Sequence, residues 1–152
     1  VLSSVNSDSD EMADLWETFC RNFKNVSGRP MESVDELAEF LLAREASTGY
    51  CDPELMDRVG KTLRKRGLTV ETEFDRGRYD DYQFGITRAT GAIAESGTLI
   101  LDDDLTSDRL AALAPWIHVG LLGRSELIRS IPEAIERFGD CPNIIFRIQG
   151  PK

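Results

Sequence analysis

Residues Gly85–Leu101 read GITRATGAIAESGTLIL, and the interpretation of this stretch decides the fold. Gly85, Gly91 and Gly97 recur every sixth residue, with hydroxyls at Thr87, Thr90, Ser96 and Thr98. Glycines let a backbone approach a ligand closely, and hydroxyls with backbone amides can cradle an anion. The spacing is neither that of a dinucleotide-binding fingerprint nor that of a P-loop. Composition alone therefore leaves tight turns and an anion cradle both open, with turns favoured. From Ile93 to Asp102, strand-like runs flank Ser96-Gly97.

Working outward, Asp10–Lys24 has Met12, Leu15, Trp16, Phe19 and Phe23 at helical spacing, an apolar stripe for packing or for a partner. Ser33–Glu36 is a capping box that opens a second helix, with Val34, Leu37, Phe40 and Leu41 inward. Ser47–Cys51 is a short strand. Asp52-Pro53 begins a third helix, with Leu55, Val59 and Leu63 as its buried stripe. Lys61, Arg64, Lys65 and Arg66 load its end and complement the helix dipole, and Gly67 stops it. Leu68–Phe74 alternates as a strand, and Asp75–Asp81 is a charged loop. Arg109–Leu113 has room for one helical turn. Trp116–Leu122 reads as a buried strand. Ser125–Phe138 reads as a helix with Ile128, Ile131, Ile135 and Phe138 on one face, Pro132 starting a fresh turn. Asn143–Ile148 is an apolar strand.

Strands thus alternate with helices, which predicts an α/β fold with a mostly parallel sheet covered on both faces. Ligands in such sheets sit beyond the carboxyl ends of the strands, at a switch in strand order. The 152-residue length fits one domain: residues 1–9 a flexible polar arm, residues 10–152 a single α/β domain. A net charge of −9 disfavours nucleic-acid backbones as partners. No apolar run is long enough for a membrane span, and no signal peptide is visible. Cys20, Cys51 and Cys141 are odd in number and form no C-x-x-C pair. That suits a cytoplasmic protein and argues against an iron–sulfur cluster or zinc held by this chain alone.

Gly85, Ile86, Thr87, Ala89, Ile93, Ala94, Glu95, Ser96, Gly97, Thr98 and Leu99 match the pattern G-I-T-x-A followed by a-I-A-E-[ST]-G-T-l-v-l. Leu113–Val119 and Ile148–Pro151 match two further stretches, an L-x-P-x-x-H-I/V strand entry and the lead into a G-P-S-[RK]-T-A-D-I-E loop. In these motifs the chain resembles the LUD (lactate-utilisation) family of the YkgG type, also called DUF162. The resemblance covers nearly the whole chain from the first helix. It implies a three-layer α/β/α Rossmann-like sandwich of the NagB/RpiA/CoA-transferase group. It also implies an accessory part in oxidising L-lactate to pyruvate, with iron–sulfur clusters only on partner subunits. The chain ends at Gly150-Pro151-Lys152, where the family continues into the S-[RK]-T-A-D-I-E loop, so a domain without that C-terminal end is expected.

Glu95 is the candidate catalytic residue, because the turn Glu95-Ser96-Gly97 resembles the glutamate turn of CoA transferases. A carboxylate nucleophile needs positioning and an oxyanion site, which turn amides can supply. The competing role is a glutamate that fixes its own turn. Gly85, Thr87, Arg88, Ser96, Gly97, Thr98 and Gly150 are the candidate ligand-binding residues, for a small organic acid or a nucleotide. Arg88 is either a carboxylate clamp or a surface ion-pair partner. His118, the only histidine, is either an acid–base group or a satisfied structural residue, the latter favoured by its apolar strand. Asp102–Asp104 reads as a solvated loop rather than a cation site. Trp16 and Trp116 read as core or interface residues. Three functions follow: an accessory subunit of a lactate-oxidising system, a small acyl-transferring or phosphosugar-handling enzyme using Glu95, and an interaction module without catalysis.

Overall fold

A computed structural model describes residues 2–102, 115–138 and 144–148. Arg109–Leu113, Asp103, Asp104, Cys141 and Gly150 lie outside the described residues. The chain divides into two compact units. One comprises residues 31–88 and 103–121, the other residues 1–30, 89–102 and 122–152.

The first unit is built on a wholly parallel sheet. Its strands are β1 (Thr48–Cys51), β2 (Thr69–Glu71), β3 (Phe84–Arg88) and β6 (Ile117–Leu121), in the order β2-β1-β3-β6. Helix α2 (Val34–Ala43) starts where the capping box predicts, with the Ser33 side chain accepting from the Glu36 N–H at 3.1 Å. Asp52 caps the next helical stretch by accepting from the Glu54 N–H at 2.9 Å. That stretch runs through a 3₁₀ turn (Pro53–Leu55) and a π turn (Met56–Gly60) into α3 (Lys61–Lys65). Its Leu55, Met56, Val59 and Leu63 pack with Leu37 and Leu41 of α2 against Cys51, Val70, Phe84 and Ile86 of the sheet. The basic end of this helix does more than complement the dipole: the Arg64 guanidinium donates to the Val70 carbonyl at 2.6 and 3.1 Å. This is the α/β Rossmann-like class expected from the sequence.

Three details of this unit differ from the sequence reading. β3 is a central strand, although its glycine and hydroxyls disguise it as a turn. Its residues Phe84–Thr87 are all buried, so it shows no polar alternation. β2 is shorter than the alternation suggests, because Phe74 leaves the ladder to stack on Tyr82 at 4.6 Å. Trp116 is 81% exposed, so it is not a core residue, and β6 is half-buried rather than buried.

The second unit has its own mixed sheet. Its strands are β4 (Gly91–Ile93), β5 (Thr98–Asp102), β7 (Leu127–Ile128) and β8 (Ile144–Ile148), in the order β7-β4-β5-β8. β5 runs antiparallel to both β4 and β8, and β7 runs parallel to β4. Ile93, Ile100 and Ile128 form its core with Ala134 of α4 (Ile131–Phe138). A helix over Ser125–Phe138 is therefore corrected to a 3₁₀ turn, a two-residue strand and a short helix. Pro132 has no N–H to donate, so the helix starts beside it. Ile131 and Ile135 are consequently exposed rather than on an inward stripe.

α1 (Leu2–Asn25) belongs to the second unit. Residues 3–9, expected as an arm, lie within this helix, because extending a formed helix fixes one residue per added hydrogen bond and avoids a new nucleation step. The aromatic stripe is real: Trp16 and Phe19 stack at 6.0 Å, Phe19 and Phe23 at 5.0 Å. Phe19 is 3% exposed, so the stripe packs inward.

Candidate functional site

The strand order β2-β1-β3-β6 contains a switch point. The chain steps from β1 to β2 on one side, then returns to place β3 on the other side of β1. Connections on the two sides diverge there, leaving a crevice at the carboxyl ends of β1 and β3. Cys51 and Asp52 come from the end of β1, Thr87 and Arg88 from the end of β3. Asp52 continues the ladder one residue past its strand, its N–H donating to the Ile86 carbonyl at 2.9 Å.

The register assigns the side chains to faces. Phe84 and Ile86 join the helix-covered core, together with Ile117, Val119 and Leu121 of β6. Gly85 and Thr87 therefore face the other side. So do His118 and Gly120, which pair with Gly85 and Thr87 respectively. The Thr87 hydroxyl and His118 Nε2 are hydrogen-bonded at 2.7 Å. Thr87 is 3% exposed and His118 is half-buried. Arg88, at the exposed end of β3, alternates to the opposite face from Thr87. Gly85 and Thr87 thus stand together, while Arg88 is directed apart from them.

Cys51 sits beside this crevice but is a poor nucleophile. Burial, and then the Asp52 carboxylate, push its thiol up to about 11, against a partly offsetting Arg64. At neutral pH it stays protonated.

Glu95, Ser96, Gly97 and Thr98 occupy a different place, the turn between β4 and β5 in the second unit. The exposed Glu95 side chain accepts from the Ile131 N–H at 3.2 Å. That N–H is one of the donors a helix start leaves unpaired, and a carboxylate there also suits the helix dipole. The Ser96 and Thr98 hydroxyls bond each other at 2.8 Å. Asn22 of α1 donates to the Ala94 and Glu95 carbonyls at 2.9 and 3.0 Å. Gly97 has φ +67°, and a Cβ added to it would stand 2.7 Å from the backbone of Asn22 and Phe23. This turn is shaped to seat α1 and start α4.

Sequence reasoning named Thr87 and His118 separately but did not pair them. Thirty-one residues separate them, and the only signal joining them is the β3–β6 register. Among the described residues no group of three or more His, Cys, Asp or Glu side chains is placed to hold a metal ion. Among them, too, no helix is long and apolar enough to cross a membrane.

A parallel α/β sheet with a polar pair at its switch point defines a Rossmann-like protein. The LUD domain model matches residues 43–151, and the chain belongs to the LUD domain family. Membership associates it with lactate utilisation. The fold is similar to the crystal structure of a DUF162 family protein from Deinococcus radiodurans, at 17% identity and a TM-score of 0.54. That similarity covers 91% of this chain and 89% of the other. No curated protein matches the chain.

Proposed function

We propose that this chain is a cytoplasmic accessory component of a system that oxidises L-lactate to pyruvate. It carries no iron–sulfur cluster of its own and works by binding iron–sulfur partner subunits together with a small organic acid or a nucleotide. The observation that carries this reading is the LUD match over residues 43–151. The switch-point crevice beside Gly85 and Thr87 supports a small-molecule role, since such crevices are where open α/β sheets receive ligands. Deletion of the gene tests the reading: growth on L-lactate should fail, and a tagged chain should co-purify with an iron–sulfur protein. Normal growth, with no such partner recovered, refutes it.

A second reading, an acyl-transferring or phosphosugar-handling enzyme, is favoured by the exposure of the Glu95 carboxylate before a glycine turn. Its test is Glu95→Gln. A nucleophile lost to the amide abolishes function, whereas a turn-fixing group keeps most of it, because the amide oxygen still accepts from Ile131.

A further inference from the structure

We infer that Thr87 and His118 form the contact for the hydroxyl or oxo oxygen of a small 2-hydroxy or 2-oxo acid at the β1/β3 switch point. The choice of acid rests on the lactate-utilisation reading; the site rests on geometry. Four observations converge on this pair.

The first is position. Thr87 ends its strand's inner run at the carboxyl side of the sheet, level with the ladder bond that carries β1 into Asp52. The second is the surroundings. In the β3–β6 register, His118 stands next to Gly85 and Thr87 next to Gly120. Each polar side chain has a glycine as its facing neighbour, so the surface beside the pair is free of a facing side chain. The third is cost. Burying a hydroxyl and an imidazole in a sheet is unfavourable compared with two aliphatic side chains, which would pack there without a hydrogen-bonding requirement. The pair offsets this with its own 2.7 Å bond, and the half-buried imidazole keeps an approach from solvent.

The fourth is chemical range. A threonine hydroxyl donates and accepts, and a neutral imidazole has one donor and one acceptor nitrogen. Together they can accept a proton from a 2-hydroxyl or donate one to a 2-oxo oxygen. The same pair therefore suits both oxidation states of one acid. The Glu95 carboxylate, bonded at the start of α4, has no part in this site.

The chain has one histidine, so untagged protein labelled with ¹⁵N gives a single set of imidazole signals assignable to His118. The full chain is titrated with L-lactate, pyruvate and, as a control, acetate. L-lactate or pyruvate should shift the His118 signals saturably, and acetate should do so far more weakly. Thr87→Val should weaken the apparent affinity about tenfold, the scale of one lost hydrogen bond, and Thr87→Ser should retain it. An absent response to both acids overturns the inference. So does an equal response to acetate, or a Thr87→Val variant that binds like the parent. If Thr87→Val does not fold, the comparison of L-lactate and pyruvate with acetate on the parent chain still decides. Loss of growth on L-lactate with a silent His118 overturns this site and leaves the proposed function standing. A saturable His118 response with normal growth supports the site and overturns the pathway.

Discussion

Gly97 and Gly67 both have positive φ, at +67° and +93°, but different surroundings. A Cβ at Gly67 would meet nothing within 4 Å, whereas one at Gly97 would press on the backbone of α1 at 2.7 Å. Gly67→Ala therefore costs only the left-handed backbone strain of an L-residue, about 1–2 kcal/mol. Gly97→Ala incurs the same strain plus an overpacking cost of about 1–3 kcal/mol, because a helix backbone cannot rotate away as a side chain can. The total of about 2–5 kcal/mol is a large share of an ordinary domain's stability. Equilibrium urea unfolding measures both variants, in a Trp116→Phe background so that Trp16 fluorescence reports on the unit containing α1. Gly97→Ala should be the less stable by at least about 1 kcal/mol. Equal costs at the two positions would refute the conclusion that the Glu95–Thr98 turn is built around α1.

Three further outcomes follow from the same geometry. Asn22→Ala removes two hydrogen bonds to the Ala94 and Glu95 carbonyls and should cost about 1–3 kcal/mol in the same unfolding assay; a neutral effect would mean that α1 is held by its aromatic stripe alone. Ser33→Ala should cost about 0.5–2 kcal/mol through loss of the α2 cap, with Ser33→Asp restoring most of it, as read by urea midpoint. Cys51 should resist thiol reagents at pH 8 until the chain unfolds, while the partly exposed Cys20 reacts in the native state. Its folded pKa of about 11 lies above the ordinary value of 9.0, so the folded state holds its proton more tightly than the unfolded one. The stability this contributes is full below pH 9 and is lost as pH rises through 11, visible as a lowered Tm across that window in the parent but less so in Cys51→Ala.

Helix starts were the most legible part of the fold. Ser33 and Asp52 carry their caps in the local sequence, and each accepts the hydrogen bond expected of it. The amphipathic stripe over Leu55, Val59 and Leu63 was equally plain, since helical spacing is a short-range property. Strand assignment failed where burial or length removed the period. β3 is buried throughout, so it does not alternate, and its Gly85 and Thr87 resemble turn residues. β7 is two residues long and was absorbed into the helix that follows it, because no periodicity can be read from Leu127-Ile128. The mixed second sheet depends on pairing between residues as distant as Ala92 and Leu127, which no local pattern encodes.

The motif that identifies the family is continuous in sequence but performs two different tasks in space. Gly85–Arg88 lies in the parallel sheet of the first unit, and Ala89–Asp102 lies in the mixed sheet of the second. In the first half, glycine and hydroxyl leave a polar surface at the switch point, where Thr87 meets His118. In the second half, glycine and hydroxyls satisfy one another and admit a helix backbone, and the glutamate starts α4. The same residue types thus serve ligand access in one place and close packing in the other. Composition cannot separate these roles, because a glycine without a Cβ makes room equally for a ligand or for a helix. The distinction comes from what fills that room. For Gly97 it is the α1 backbone, whereas at Gly85 and Gly120 the facing residues on the next strand are the polar pair itself. A binding role is therefore better sought at Thr87 and His118 than at Glu95, and substitutions in the two halves should separate acid binding from stability.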